Sequence, residues 1–324
     1  MHKNQQHVLA ILMVALTAFI SAARAQDYPT RPITLVMPFP AGGPGDAMAR
    51  NLGMVLGAAL KQQVIVDNPS GAIGTNKVAK SKPDGYTLLI MNIGMATAPA
   101  LFRNLPYNVL TDFEHIGRVS DMPMMIVARN GLPPNTHKDF IAYAKANAQK
   151  LTFANAGPGS AAHLCSLLFM NTIQTEFTQV PYKGAAPAMI DLVGGHVDLL
   201  CDQTSTTTAQ LKAGTIKTYG VTAKSRVASL PAVPTLDEQG LAGFEAVSWF
   251  GLWAPKGVPK PVLDKLVTAL QAAVADPTFK TRLADLGGAP VPVALANPES
   301  LRTFLKSEVD KWAPVIKKAG ISAD

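Results

Sequence analysis

The chain has 324 residues, 48% of them hydrophobic and 16% charged, and a formal net charge of +7. The basic surplus is spread along the chain and accompanied by few aromatic residues, which argues against nucleic acid as a partner. Beyond residue 20 no apolar run is long enough to span a bilayer, so an exported, soluble product is expected.

Residues 1–25 carry the three parts of a secretory signal. Lys3 supplies a positive n-region, 8–20 is an apolar run shorter than the ~20 residues of a membrane span, and Ala23-Arg24-Ala25 fits the small-x-small cleavage pattern. Cleavage is expected after Ala25, and export then places the product in the periplasm. No cysteine follows the apolar run, which argues against a lipid anchor. Loss of Lys3 and Arg24 lowers the formal charge from +7 to +5. The rest of the chain, roughly 300 residues, exceeds the usual single core and predicts two lobes.

Residues 33–39 read as the first strand, apolar enough for burial on both faces of a parallel sheet. Phe39, Pro40, Ala41, Gly42 and Gly43 then form a loop, and Asp46 is placed as N-cap of a helix to about residue 60. Met48, Leu52, Val55, Leu56 and Ala59 recur along it at helical spacing. A short strand at 63–66, a turn at 68–71, a helix around 76–81 halted at Lys82-Pro83-Asp84-Gly85, and a buried strand at 86–91 complete a βαβαβ, doubly wound pattern. After a passage rich in Pro and Asn, 116–128 carries strand signals on both sides of Asp121-Met122-Pro123, where the chain is expected to cross into the second lobe. A helix at 137–147, a strand at 151–156, Gly157-Pro158-Gly159-Ser160 and a helix from 161 to about 170 repeat the order strand, glycine loop, helix. A strand at 177–181, a helix at 185–193, a strand at 197–201 ending in Asp202-Gln203-Thr204, a helix at 206–213, a strand at 218–222 and a helical turn at 236–240 follow. The extended segment 245–253 returns to the first lobe. Pro259-Lys260-Pro261 opens a helix to about 275, and Asn297-Pro298-Glu299 opens the last, with Leu301, Phe304, Leu305 and Trp312 facing in and Pro314 as a kink.

Two glycine loops, each at a helix start, can present backbone N–H groups to an anion, and two facing loops suit a dicarboxylate or an amino acid. The alternative is that these glycines only make tight turns. Gly42-Gly43-Pro44-Gly45 lacks both the dinucleotide fingerprint and the Lys-Ser or Lys-Thr of a phosphate loop. Gly157-Pro158-Gly159-Ser160-Ala161 lacks the glycine spacing of a nucleophile elbow, so Ser160 reads as an N-cap and an exported hydrolase is the minor alternative. His163 either donates to a ligand or fills a packing role. Asp202, at a strand end, either pairs with a ligand amine or caps the next helix. No His/Glu pair stands at metal spacing, so no metal and no cofactor are expected. Cys165 and Cys201 are read as a possible disulfide between the second loop's helix and a strand end, with buried free thiols as the alternative.

Several separated motifs carry a family resemblance over the chain after residue 25. Tyr28-Pro29 with Arg31-Pro32-Ile33, Pro38-Phe39 with Gly42-Gly43 and Asp46, Pro83-Asp84-Gly85-Tyr86-Thr87-Leu88-Leu89, Pro181-Tyr182-Lys183-Gly184, Asp191-Leu192 with Gly195, Val197 and Asp198, Leu230-Pro231 with Val233-Pro234-Thr235, and Trp249-Phe250-Gly251 stand in order. They resemble the Bug family of tripartite tricarboxylate transporter substrate-binding proteins. The resemblance implies a type II periplasmic binding protein of two doubly wound α/β lobes that closes on a small organic anion and passes it to membrane transporter subunits; a monomer is expected. It implies a first loop at Phe39, Pro40, Ala41, Gly42, Gly43 and Asp46, and a second at Asn155, Gly157, Gly159, Ser160, Ala161 and His163. Asp202 falls where some members recognise an amine. Asn92 and Met95 are also placed near the cleft. Cys201-Asp202-Gln203-Thr204 departs from the family pattern, which leaves the ligand open among dicarboxylates, amino acids and aromatic acids. The lobes are expected at 26–125 plus 246–324, and at 126–245. A receptor whose output is signalling to a membrane sensor is the other reading.

Overall fold

The computed structural model describes residues 28–69, 71–318, 320 and 322–323. The expected signal at 1–25, and Ser70 in the expected turn, lie outside them.

Strand β1 (Ile33–Val36) has Ile33, Leu35 and Val36 wholly buried, so both of its faces are covered. It lies parallel to and between β2 (Val64–Asp67) and β3 (Thr87–Asn92). Helix α1 (Pro44–Leu60) links β1 to β2, and α2 (Gly71–Ala79) links β2 to β3. The α1 side chains Met48, Leu52 and Leu56 share one apolar cluster with Leu266 and Leu270 from the far end of the chain. Helix α3 (Gly94–Leu101) follows β3 and is not anticipated from the sequence. It is buried on most sides, so it has no amphipathic stripe, and Pro99 lies within it.

The two segments expected around Asp121-Met122-Pro123 are one strand, β4 (Phe113–Arg129). Through Pro123 it pairs antiparallel with β9 (Val247–Pro255), which in turn pairs with β3. From Met124 onward it pairs antiparallel with β7 (Leu199–Gln203) and β8 (Ile216–Val221). Pro123, with no N–H to donate, stands where the partner changes. On the far side β7 is parallel to β5 (Thr152–Asn155), and β5 to β6 (Thr178–Pro181). Around these strands lie α4 (His137–Asn147), α5 (Ala161–Ile173), α6 (Ala185–Val193) and α7 (Thr204–Lys212). The ranges expected for α4 and α6 coincide with those observed.

Helices α8 (Lys260–Ala275), α9 (Pro277–Asp285) and α10 (Pro298–Lys318) cover the first lobe, and β10 (Ala289–Pro290) pairs with β4. Helix α9 is not among the elements expected from the sequence, although Asp276-Pro277 is an N-cap followed by an N1 proline. The Asp276 carboxylate accepts from the Phe279 N–H at 2.9 Å. Leu301 and Leu305 of α10 are wholly buried, and its helical path continues through Pro314. One apolar cluster runs unbroken from Val36 and Leu89 through Trp249 and Trp253 to Phe153 and Phe169, so the two lobes share a core beneath their junction.

Candidate functional site

Five strand ends meet at one narrow cavity of about 30 Å³. Phe39, Pro40, Gly43, Pro44 and Gly45 come from the segment after β1, and Asn92 ends β3. Ala156, Ser160, Ala161 and Ala162 follow β5, Gly184, Ala185 and Ala186 follow β6, and Asp202 and Gln203 end β7. Carboxyl ends of strands are where open α/β sheets bind ligands. Three larger hollows, of about 560, 600 and 970 Å³, include no residue of either glycine loop.

On the first jaw, Gly42 takes φ +81°, a left-handed conformation that favours glycine, and Gly43 is the N-cap of α1, with Pro44 at the start of the helix. Asp46 is therefore not the N-cap. It lies one turn further in, and its Oδ2 reaches back to accept from the Gly42 N–H and from Arg50 Nε, both at 3.0 Å. Burial works to raise the Asp46 carboxyl, but the Arg50 and Gly42 hydrogen bonds outweigh it and hold it below the usual carboxylate range. Asp46 thus braces the loop from behind.

The second jaw is built by side chains that bind their own loop. The Ser160 Oγ caps α5 by accepting from the His163 N–H at 3.2 Å, and His163 Nδ1 accepts from the Gly159 N–H at 3.1 Å. Asn155 Oδ1 accepts from the Gly157 N–H at 3.0 Å, while its Nδ2 donates to Gln179 Oε1 at 3.0 Å. Burial lowers the pKa of His163, which keeps the ring neutral and able to accept at Nδ1. Gly159, at φ +71°, leaves no room for a side chain because a Cβ there would run into Leu101 of α3. The two jaws touch at this point, where Thr97 Oγ1 donates to the Gly159 carbonyl at 3.1 Å. A Cβ on Gly184 would lie 3.3 Å from Pro40 across the same seam.

Of the residues expected at the site, Phe39, Pro40, Gly43, Asn92, Ser160, Ala161 and Asp202 line the cavity. Ala41 and Gly42 are exposed beside it, and Asp46, Asn155, Gly157, Gly159 and His163 hold the loops. Met95 is buried in the core cluster and is not part of the wall. Two further helix starts, those of α6 and α7, are expected from the sequence as elements but not as parts of the site. Gly184, at φ +123°, is the N-cap of α6, and Gln203 is the N-cap of α7. For α6 the signal was present, since Gly184 separates a strand from an Ala-Ala helix start. The wall is therefore rich in first-turn N–H groups, which have no intrahelical acceptor, and no lysine or arginine lines it. Each helix start favours a nearby anion by about 0.3 to 2 kcal/mol.

Asp202 brings the opposite character. It is 2% exposed, and its Oδ2 accepts from Thr206 Oγ1 at 2.6 Å. Burial pushes its carboxyl up to about 6, against hydrogen bonds from the Thr206 hydroxyl and the Gln203 N–H. Cys165 of α5 and Cys201 of β7 are joined as a disulfide with their Cα atoms 6.1 Å apart. The bridge ties the helix of the second jaw to the strand that carries Asp202. Among the described residues no group of three or more His, Cys, Asp or Glu could hold a metal ion, and no helix is long and apolar enough to cross a membrane.

Comparison with known proteins gives one consistent picture. A family model described as the tripartite tricarboxylate transporter family receptor matches residues 48–321. A protein of Agrobacterium vitis, described as the UPF0065 protein in the TAR-I ttuE-ttuC' intergenic region, is 46% identical over 321 residues, covering 98% of this chain and 92% of its own length. The solved structure of the periplasmic binding protein BugD is 48% identical, with a TM-score of 0.86 over 91% of this chain and 99% of that one. MatC of Rhodopseudomonas palustris with bound malate is 35% identical, with a TM-score of 0.83 over 89% of this chain and 100% of that one. The likeness extends from the first described strand through both lobes.

Proposed function

This chain belongs to the tripartite tricarboxylate transporter family of receptors, and we propose that it captures a small carboxylate-bearing ligand between its lobes for uptake by a transporter of that kind. Its fold is that of a type II periplasmic binding protein. The observation that carries the reading is the convergence of helix starts on one cavity, with Gly43, Ser160 and Gly184 at their caps and no basic side chain in the wall. Such a wall holds a carboxylate through backbone N–H groups and helix ends. MatC, bound to malate, supports a carboxylate as the ligand class.

The lobes comprise 26–125 with 246–324, and 126–245, hinged where β4 changes partner and where the chain returns into β9. Lobe closure brings Thr97 and Leu101 against Gly159 and encloses the ligand. The protein acts in the periplasm after removal of 1–25, as a monomer, and its partners are the ligand and the membrane subunits of the transporter. It performs no catalysis: Ser160 is occupied as a helix cap and His163 as an acceptor for its own loop. A thermal-shift screen of dicarboxylates, hydroxy acids, amino acids and aromatic acids tests the reading, because a ligand that binds only the folded protein raises its melting temperature. A screen in which no carboxylate raises it would overturn the reading.

A further inference from the structure

Gln203 has a side chain that the protein itself does not use. The residue is 3% exposed and lines the cavity, yet its side-chain oxygen is buried without a hydrogen-bond partner. Its backbone is fixed firmly. It holds the N-cap position of α7 in an extended conformation, and its carbonyl accepts from the hydroxyls of Thr206 and Thr207, each at 3.0 Å. The side chain makes no capping bond, and glutamine is not among the residues favoured for that role. A buried acceptor left unpaired is destabilising, and such groups in folded proteins call for a specific explanation.

The rest of the wall supplies one. The starts of α1, α5 and α6 offer donors, which suit carboxylate oxygens. Acceptors are few: Asn92 Oδ1 is engaged by the Gly94 N–H at 3.0 Å, and Asp202 Oδ2 already takes the Thr206 hydroxyl. A plain dicarboxylate would satisfy the donors and leave the Gln203 oxygen unpaired. An acid with a hydroxyl or ammonium group on its carbon chain would satisfy both sides.

We propose that the Gln203 side-chain amide is a specificity contact, selecting among short carboxylic acids those that carry a hydroxyl or ammonium donor. This rests on the receptor reading and narrows its substrate class.

The test is titration calorimetry of the purified receptor with three four-carbon acids: succinate, which lacks the donor, malate, which has a hydroxyl, and aspartate, which has an ammonium. Wild type is compared with Gln203→Met, which keeps the length of the side chain and removes its amide. Wild type should bind malate or aspartate about tenfold or more tightly than succinate. Gln203→Met should erase that advantage while changing the succinate affinity by less than about threefold. Because no protein donor is lost at the amide oxygen, the melting temperature of the ligand-free variant should not fall. Which of malate and aspartate wins distinguishes hydroxyl from ammonium. Equal losses for all three acids with a lowered melting temperature would make Gln203 a structural residue and overturn the inference. Succinate binding as tight as that of both donor acids, or a preference that survives the substitution, would overturn it while leaving the receptor reading intact. If none of the three binds, the inference falls, and the wider acid screen judges the receptor reading separately.

Discussion

Asp202→Asn should stabilise the ligand-free protein at neutral pH, by an amount that fades on acidification. Burial pushes the Asp202 carboxyl up to about 6 from its ordinary 3.8, despite the Thr206 hydroxyl and the Gln203 N–H that bond to it. A carboxyl whose folded pKa lies above its unfolded one holds its proton more tightly when folded. The folded state is therefore disfavoured as pH rises from about 4 to about 6, and the full penalty persists above that. A separation of about two pH units corresponds to about 3 kcal/mol. Asparagine keeps an acceptor for Thr206 and removes the charge. The variant should match wild type below pH 4 and exceed it by up to about 3 kcal/mol above pH 6, roughly 5 °C in Tm for a chain of this size. His115, His137 and His163, whose pKa values are lowered by burial, destabilise the fold on acidification, but they titrate in both proteins and cancel in the difference. Denaturant unfolding of both proteins at pH 4, 5, 6 and 7.5 reads this difference directly. A gap that does not vary with pH, or a variant less stable at pH 7.5, would refute the reasoning. The same pair of proteins tests Asp202 against a ligand amine. An amino acid should lose far more affinity than its deaminated analogue, and equal losses would exclude that role.

Gly159→Ala should weaken ligand binding by about tenfold or more, because the new methyl would run into Leu101 across the seam between the jaws and φ +71° is strained for alanine. Calorimetry showing unchanged affinity would count against the observed seam between the jaws. Replacing both Cys165 and Cys201 by alanine should lower stability by about 4 kcal/mol, the loop-closure term for a separation of 36 residues. Urea unfolding measures this, and alkylation without reductant should label no thiol in the native protein; two labelled thiols would exclude the bridge. Ser160→Ala removes the cap on the His163 N–H and should cost about 1 kcal/mol of stability, measurable by the same unfolding assay. A stability equal to wild type would show that this cap is not needed.

Local chemistry made most of the chain legible. The helices at His137–Asn147 and Ala185–Val193 follow from side-chain periodicity and flanking turns, and the cap at Ser160 follows from a hydroxyl placed one residue before the helix. The two glycine loops and their family resemblance were also readable, because a left-handed turn into a helix requires glycine in the sequence itself. Where the signal was absent or passed over, the reason differs. Helix α3 is covered on nearly every side, so its hydropathy has no stripe, whereas α9 carries a local start signal in Asp276-Pro277.

Facing relationships were beyond the sequence. Asp46 could be assigned to a helix start, but only the folded loop shows its carboxylate turning back to Gly42 and Arg50 instead of capping the helix. His163 left two readings open until Gly159 was found donating to its ring. The register of β7 on β4, Asp202 beside Met125 and Gln203 beside Met124, carries both residues to the wall opposite Gly43 and Pro40. Periodicity and capping act over a few residues and are written in order along the chain. Which strand ends share a cavity depends on pairings between segments far apart in sequence, and these exist only once β4 has joined the two lobes.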